Sequence, residues 1–134
     1  MSLPSLSPLA PPPPRRSLRV LYADDLAELR DVVAAVLSAD GHTVDTAANG
    51  HEAWKRIFTA PAAYDLIVTD HNMPAMDGLE FVTQLRDLAF RGRIVVLSSD
   101  QRPELAARYR ALGVEEVLAK PVAPQTLRRL AAAG

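Results

Sequence analysis

Asp24, Asp25, Asp70, Ser98 and Lys120 are the residues of this chain best suited to act together chemically. Each stands at the end of a short apolar run: "VLYADD", "LIVTD", "IVVLSS" and "EVLAK". Taken singly, each has an ordinary structural role. Asp25 with Glu28 has the spacing of a helix capping box, and Asp77 with Glu80 repeats it. Ser98 alone fits the hydroxyl that starts a helix, Lys120 a solvated charge, and Asp70 in "VTDHNMPAMDG" a turn residue. Brought to one place, the group means something else. Two carboxylates held ~5 Å apart repel by roughly 3 kcal/mol at an effective dielectric near 20. Three together call for a positive charge among them, and a hard divalent cation suits such an oxygen-rich cluster. Magnesium fits best when phosphate supplies further ligands. Lys120 would then neutralise a bound anion and Ser98 would donate a hydrogen bond to it. A carboxylate beside a metal, a cation and a donor is equipment for phosphoryl transfer, where positioning and charge neutralisation do most of the work.

The elements that must position these residues are legible in the apolar pattern. Strands are expected at 18–23, 42–47, 65–69, 93–98 and 115–119, three of them nearly continuous apolar runs of the kind buried on both sheet faces. Segments of helical spacing lie between them. In the first, Leu26, Leu29, Val33, Val36 and Leu37 share one stripe, and Gly41 is placed to end the helix. Further helices are expected at about 49–59, 77–89 and 102–112, the last stopping at Gly113, and a fifth begins near Pro124. Five βα units imply an α/β fold: a doubly wound parallel sheet with helices on both faces and right-handed crossovers. Sites in such sheets gather beyond the carboxyl ends of the strands, where these five residues fall.

The rest of the composition narrows the function classes. The chain has 134 residues, no cysteine and a formal net charge of −1. Thiolate metal sites and cysteine nucleophiles are therefore excluded, and nothing in the charge balance points to direct nucleic-acid or membrane binding. No apolar run approaches the ~20 residues of a membrane span, and the start lacks the layout of a signal peptide, so a cytoplasmic domain is expected. Of fifteen basic residues only Lys55 and Lys120 are lysine, which adds interest to Lys120. Residues 1–17 are proline-rich and read as a tail or linker, with one compact domain over 18–134. Neither G-x-G-x-x-G nor a P-loop is present.

From about Leu18 to Ala133 the chain resembles a receiver domain of the two-component response-regulator family. The resemblance rests on the acidic pair Asp24-Asp25, "TDHNMPAMDG", "VVLSS" and "AKP", in order and on matching strand ends. It implies a (βα)5 flavodoxin-like sheet in the order 2-1-3-4-5. Asp70 would be the phosphoacceptor, taking a phosphoryl group from a phosphohistidine on a histidine kinase or phosphotransfer protein. Asp25 would bind magnesium directly, Asp24 through water, and Asn72 through its backbone carbonyl. Ser98 occupies the switch hydroxyl position and Lys120 the phosphate-pairing position, with Lys120-Pro121 cis. Such a domain signals rather than turning over a substrate, through a surface of helix four, strand five and helix five. The proline-rich start fits a linker into the terminal receiver of a hybrid histidine kinase, the alternative being a single-domain receiver.

Some positions depart from the family pattern. Val117 stands three before the lysine, where an aromatic residue is usual, so no rotating ring can report phosphorylation there. Ser98 replaces the usual threonine, and Ser99 a usual alanine or glycine. Asn72 and Asp100, two residues after Asp70 and Ser98, are both polar, which leads us to expect a short-lived phosphoryl group. Two rival functions differ in kind. A haloacid-dehalogenase-type phosphohydrolase also uses an aspartate and magnesium, but wants Asp-x-Asp after the first strand. A pseudo-receiver would bind partners without being phosphorylated.

Overall fold

The computed structural model describes residues 17–133, so the proline-rich stretch, apart from Ser17, lies outside the described residues. The strands are β1 (Arg19–Ala23), β2 (Thr43–Ala47), β3 (Leu66–Asp70), β4 (Arg93–Ser98) and β5 (Glu116–Ala119). The helices are α1 (Ala27–Ala39), α2 (Gly50–Thr59), α3 (Gly78–Asp87), α4 (Pro103–Ala111) and α5 (Pro124–Ala132). A short 3-10 turn, Pro61–Ala63, precedes β3. All strand pairs are parallel and the order is β2-β1-β3-β4-β5, as expected.

Strand alternation divides the core into two layers. Leu21, Ile67, Ile94 and Val96 point into the layer that holds Phe81, Val82, Leu85 and Tyr109 from α3 and α4. Val20, Tyr22, Leu66, Val68, Val95 and Leu97 point into the opposite layer, with Val33 and Leu37 of α1 and Leu127 and Leu130 of α5. Burying a side chain of this size stabilises by roughly 1.5–3 kcal/mol, so the central strands anchor the fold from both faces. The stripe expected on α1 is only partly buried. Val33 and Leu37 are in the core, but Leu26 is 52% exposed, because the helix starts at Ala27 and leaves Leu26 outside it as the N-cap.

Three helices end in the same motif, in which the two residues after the cap bond back to the last turn. At α1 these are Gly41 to Ser38 and His42 to Leu37; at α4 they are Gly113 to Arg110 and Val114 to Tyr109. At α3 they are Ala89 to Arg86 and Phe90 to Leu85. The first residue of each pair takes a left-handed φ: +92° at Gly41, +80° at Gly113 and +56° at Ala89. Only Ala89 carries a Cβ into that region, a strain of about 1–2 kcal/mol. Glycine there costs part of the gain in unfolded-chain entropy. Ala89→Gly is therefore expected to stabilise the protein by about 0.5–1 kcal/mol, read as a higher urea midpoint at constant slope.

Candidate functional site

The strand order reverses between β1 and β3, and at that reversal the carboxyl ends of adjacent strands open a crevice. Asp24 follows β1 and Asp70 ends β3, so the topology brings together two carboxylates 46 residues apart in sequence. Asp24, Asp25 and Asp70 each offer an oxygen, and these atoms all lie within 4.8 Å of one another. Asp24 is fully buried, Asp70 is 2% exposed, and Asp25 faces solvent. Such a donor set, hard oxygens with one open side, fits a divalent cation.

Lys120 enters from the end of β5. Its Nζ donates to Asp70 Oδ2 at 3.0 Å and stands 4.0 Å from Asp24 Oδ2. The other Asp70 oxygen accepts the Asn72 backbone N–H at 3.3 Å. Burial pushes the Asp70 carboxyl above its usual range; Lys120 and the Asn72 N–H pull it back, and the nearby Asp24 charge adds to the rise. The Lys120-Pro121 peptide is cis.

Ser98 ends β4 and is fully buried, with its hydroxyl turned into its own loop. It accepts the Asp100 N–H at 2.9 Å and lies 3.3 Å from the Asp100 carbonyl oxygen. The Asp100 side chain is clamped by Arg102 through both carboxylate oxygens, which holds its pKa down at about 2. Ser99 and Asn72 are exposed, and Val117 is half-buried on β5.

The two capping patterns have different outcomes. Asp77 Oδ1 accepts the Glu80 N–H at 2.9 Å and caps α3 as its spacing indicates. Asp25 makes no such bond. With Leu26 as the N-cap, Asp25 lies one residue too early to reach the first turn, and its carboxylate belongs to the acidic cluster instead. The Leu26 N–H is taken by Asp24 Oδ1 at 3.0 Å.

Sequence reasoning missed several supporting residues. The Tyr22 hydroxyl donates to Asp24 Oδ2 at 2.8 Å, and Arg30 Nη1 donates to the Asp24 carbonyl oxygen at 2.8 Å. Tyr22 was detectable in principle, since residues two apart on a strand share a face. His71 Nδ1 and the Tyr109 hydroxyl are 2.5 Å apart, linking the residue after Asp70 to α4, and no local pattern announces a pair 38 residues apart.

Known proteins extend this geometry. The family described as "Response regulator receiver domain" matches residues 20–132. The chain belongs to that family. As a receiver it is 36% identical over 115 residues to the two-component response regulator ORR41 of rice (Oryza sativa subsp. japonica), covering 84% of this chain and 91% of that protein. It is 38% identical over 113 residues to the sensory/regulatory protein RpfC of Xanthomonas campestris, covering 80% of this chain but 15% of the much longer relative. The receiver fold also matches the chemotaxis protein CheY4 of Vibrio cholerae, with a TM-score of 0.78 and 34% identity over 86% of this chain and 96% of that one. Relatives thus include both a compact regulator and much longer proteins, such as the sensor histidine kinase AruS of Pseudomonas aeruginosa, of which the match covers 13%. Among the described residues of this receiver, no helix is long and apolar enough to cross a membrane.

Proposed function

We propose that this receiver takes a phosphoryl group from a phosphohistidine onto Asp70 in a magnesium-dependent reaction and passes the signal on by a change of conformation. A carboxylate oxygen of Asp70 attacks phosphorus, the P–N bond breaks, and the donor imidazole leaves and takes up a proton. The observation that carries this reading is the pairing of a buried Asp70 with Lys120 at 3.0 Å inside a cluster of three carboxylates. In this reading Asp70, Ser98 and Lys120 carry the chemistry, and Asp24, Asp25, Asp70 and the Asn72 carbonyl hold the cation. Bound magnesium would neutralise charge building on the phosphoryl oxygens. Lys120 supplies the second positive charge and exchanges its bond with Asp70 for one with the phosphoryl group. Ser98, now turned toward Asp100, rotates inward to donate to it.

The phosphoryl group, carrying a charge of nearly −2 where the free carboxylate carried −1, then biases two pre-existing arrangements of the α4, β5 and α5 surface, where a downstream partner reads the state. Val117 in that surface brings no aromatic ring to the change. His71 and Tyr109 offer a direct link from the Asp70 loop to α4. The phosphodonor is a histidine kinase or phosphotransfer protein. A dehalogenase-type hydrolase is disfavoured because the candidate nucleophile ends β3 rather than β1.

A titration with magnesium and beryllofluoride tests the reading against a phosphorylation-independent binding module. Backbone NMR shifts are expected around Asp70, Ser98 and α4, together with a rise in the unfolding temperature, since a ligand bound at a hundred times its Kd adds about 2.7 kcal/mol. A protein that shows neither response is a pseudo-receiver.

A further inference from the structure

Tyr22 is 1% exposed and sits on the α1/α5 face of β1, two residues before Asp24 and on the same side of the strand. Its hydroxyl has one heavy-atom partner within the site, Asp24 Oδ2 at 2.8 Å. The other Asp24 oxygen accepts the Leu26 N–H at 3.0 Å, and Lys120 Nζ stands 4.0 Å from Oδ2. Asp24 is thus fully buried with both oxygens already engaged by the protein, whereas Asp25 in the same cluster is exposed. A buried carboxylate beside two others needs such donors when no cation is present.

We propose that Tyr22 is a positioning residue for the magnesium site: its hydroxyl holds and quenches the Asp24 carboxylate, and so sets the cation affinity weaker than the three carboxylates alone would give. The inference rests on the magnesium reading above. The phenol is equipped for this, because it is buried with its hydroxyl 2.8 Å from Asp24 Oδ2, and a carboxylate oxygen can only accept, so the phenol donates. Occupying one Asp24 oxygen also divides the labour in the cluster. Asp25 is left to meet the metal directly, and Asp24 acts at a distance.

Calorimetric titration of the full chain with magnesium chloride compares the parent with Tyr22→Phe, which keeps the packed ring and removes only the hydroxyl. A hydrogen bond to a charged group is strong enough for the magnesium Kd of the variant to fall about tenfold, equivalent to about 1.4 kcal/mol. A purely packing role predicts no change, and a structural injury predicts weaker binding; either result overturns the proposal. Should the variant fail to fold, the parent still decides: the protected Tyr22 hydroxyl proton must shift in NMR when magnesium saturates the site, and a stationary resonance overturns the inference. A parent that binds no magnesium removes the phosphotransfer reading and this inference together. A parent that binds, with an unchanged variant, removes only this one.

Discussion

Asp70→Asn is expected to take up no phosphoryl label from acetyl phosphate and magnesium, and at pH 7 to unfold at a higher temperature than the parent. The first half follows from chemistry, since a neutral amide is not a nucleophile toward phosphorus and contributes no charge to a cation. Loss of uptake should be complete, and an Asp70→Asn protein that still incorporates label would place the acceptor elsewhere. The second half follows from burial. Asp70 is 2% exposed, and desolvation outweighs the bond from Lys120, so its folded pKa lies above its unfolded value. Between those two values the folded chain binds more protons than the unfolded one, so stability falls as pH rises through the window. Ionised Asp70 is therefore a full cost above the folded pKa and no cost below the unfolded value of about 3.9. Removing the charge should stabilise the protein at neutral pH, on the order of 1 kcal/mol as for other relieved functional strain. The gain should shrink as pH is lowered toward 4. A variant less stable than the parent at pH 7 would mean that the Lys120 pairing outweighs burial.

Gly78→Ala is expected to destabilise the protein by about 1–3 kcal/mol, against the direction that helix propensity alone would give. Gly78 is the first residue of α3, and its N–H donates to the His71 carbonyl oxygen at 2.8 Å. A methyl group placed there would lie 2.8 Å from the Asp70 carbonyl oxygen, 2.9 Å from His71 Cα and 2.6 Å from the Tyr109 hydroxyl. Two of those three neighbours are backbone, and the third is a buried ring held by His71. None can swing aside as a flexible side-chain tip would. The strain falls on the strand end that presents Asp70, so the variant should also bind magnesium and beryllofluoride more weakly. Urea unfolding of the two proteins measures the first effect. A neutral or more stable variant would show that α3 can retreat from β3 without cost.

Both predictions turn on how closely the loop after β3 is packed, and that closeness divides what was legible from what was not. The five strands lie within a residue or so of their expected ranges because "LRVLYA", "DLIVT" and "RIVVLS" are apolar on both faces and have only one kind of place to go. Gly41 and Gly113 end their helices as expected because a left-handed φ suits glycine. The left-handed turn that closes α3 falls on Ala89, which carries no such signal, so the helix expected over 77–89 ends two residues earlier, at Asp87. Asp77 is legible as a cap because capping is decided within four residues of chain. Asp25 shows the limit of that logic: its spacing to Glu28 fits a capping box, yet the helix starts after Leu26, where Asp24 holds the backbone N–H.

By itself the sequence determined the succession of strands and helices, the family resemblance and the residues that meet at the carboxyl edge of the sheet. Those follow from apolar periodicity and from strand order, which bring distant chain segments to one edge whatever the side chains do there. Only the tertiary structure decided the contacts among them. It turned Ser98 toward Asp100, paired Lys120 with Asp70, gave Tyr22 to Asp24, and joined His71 to Tyr109. Hydrogen bonds act over about 3 Å. Partners at that range are chosen by packing between elements far apart in the chain, and local sequence carries no record of that choice.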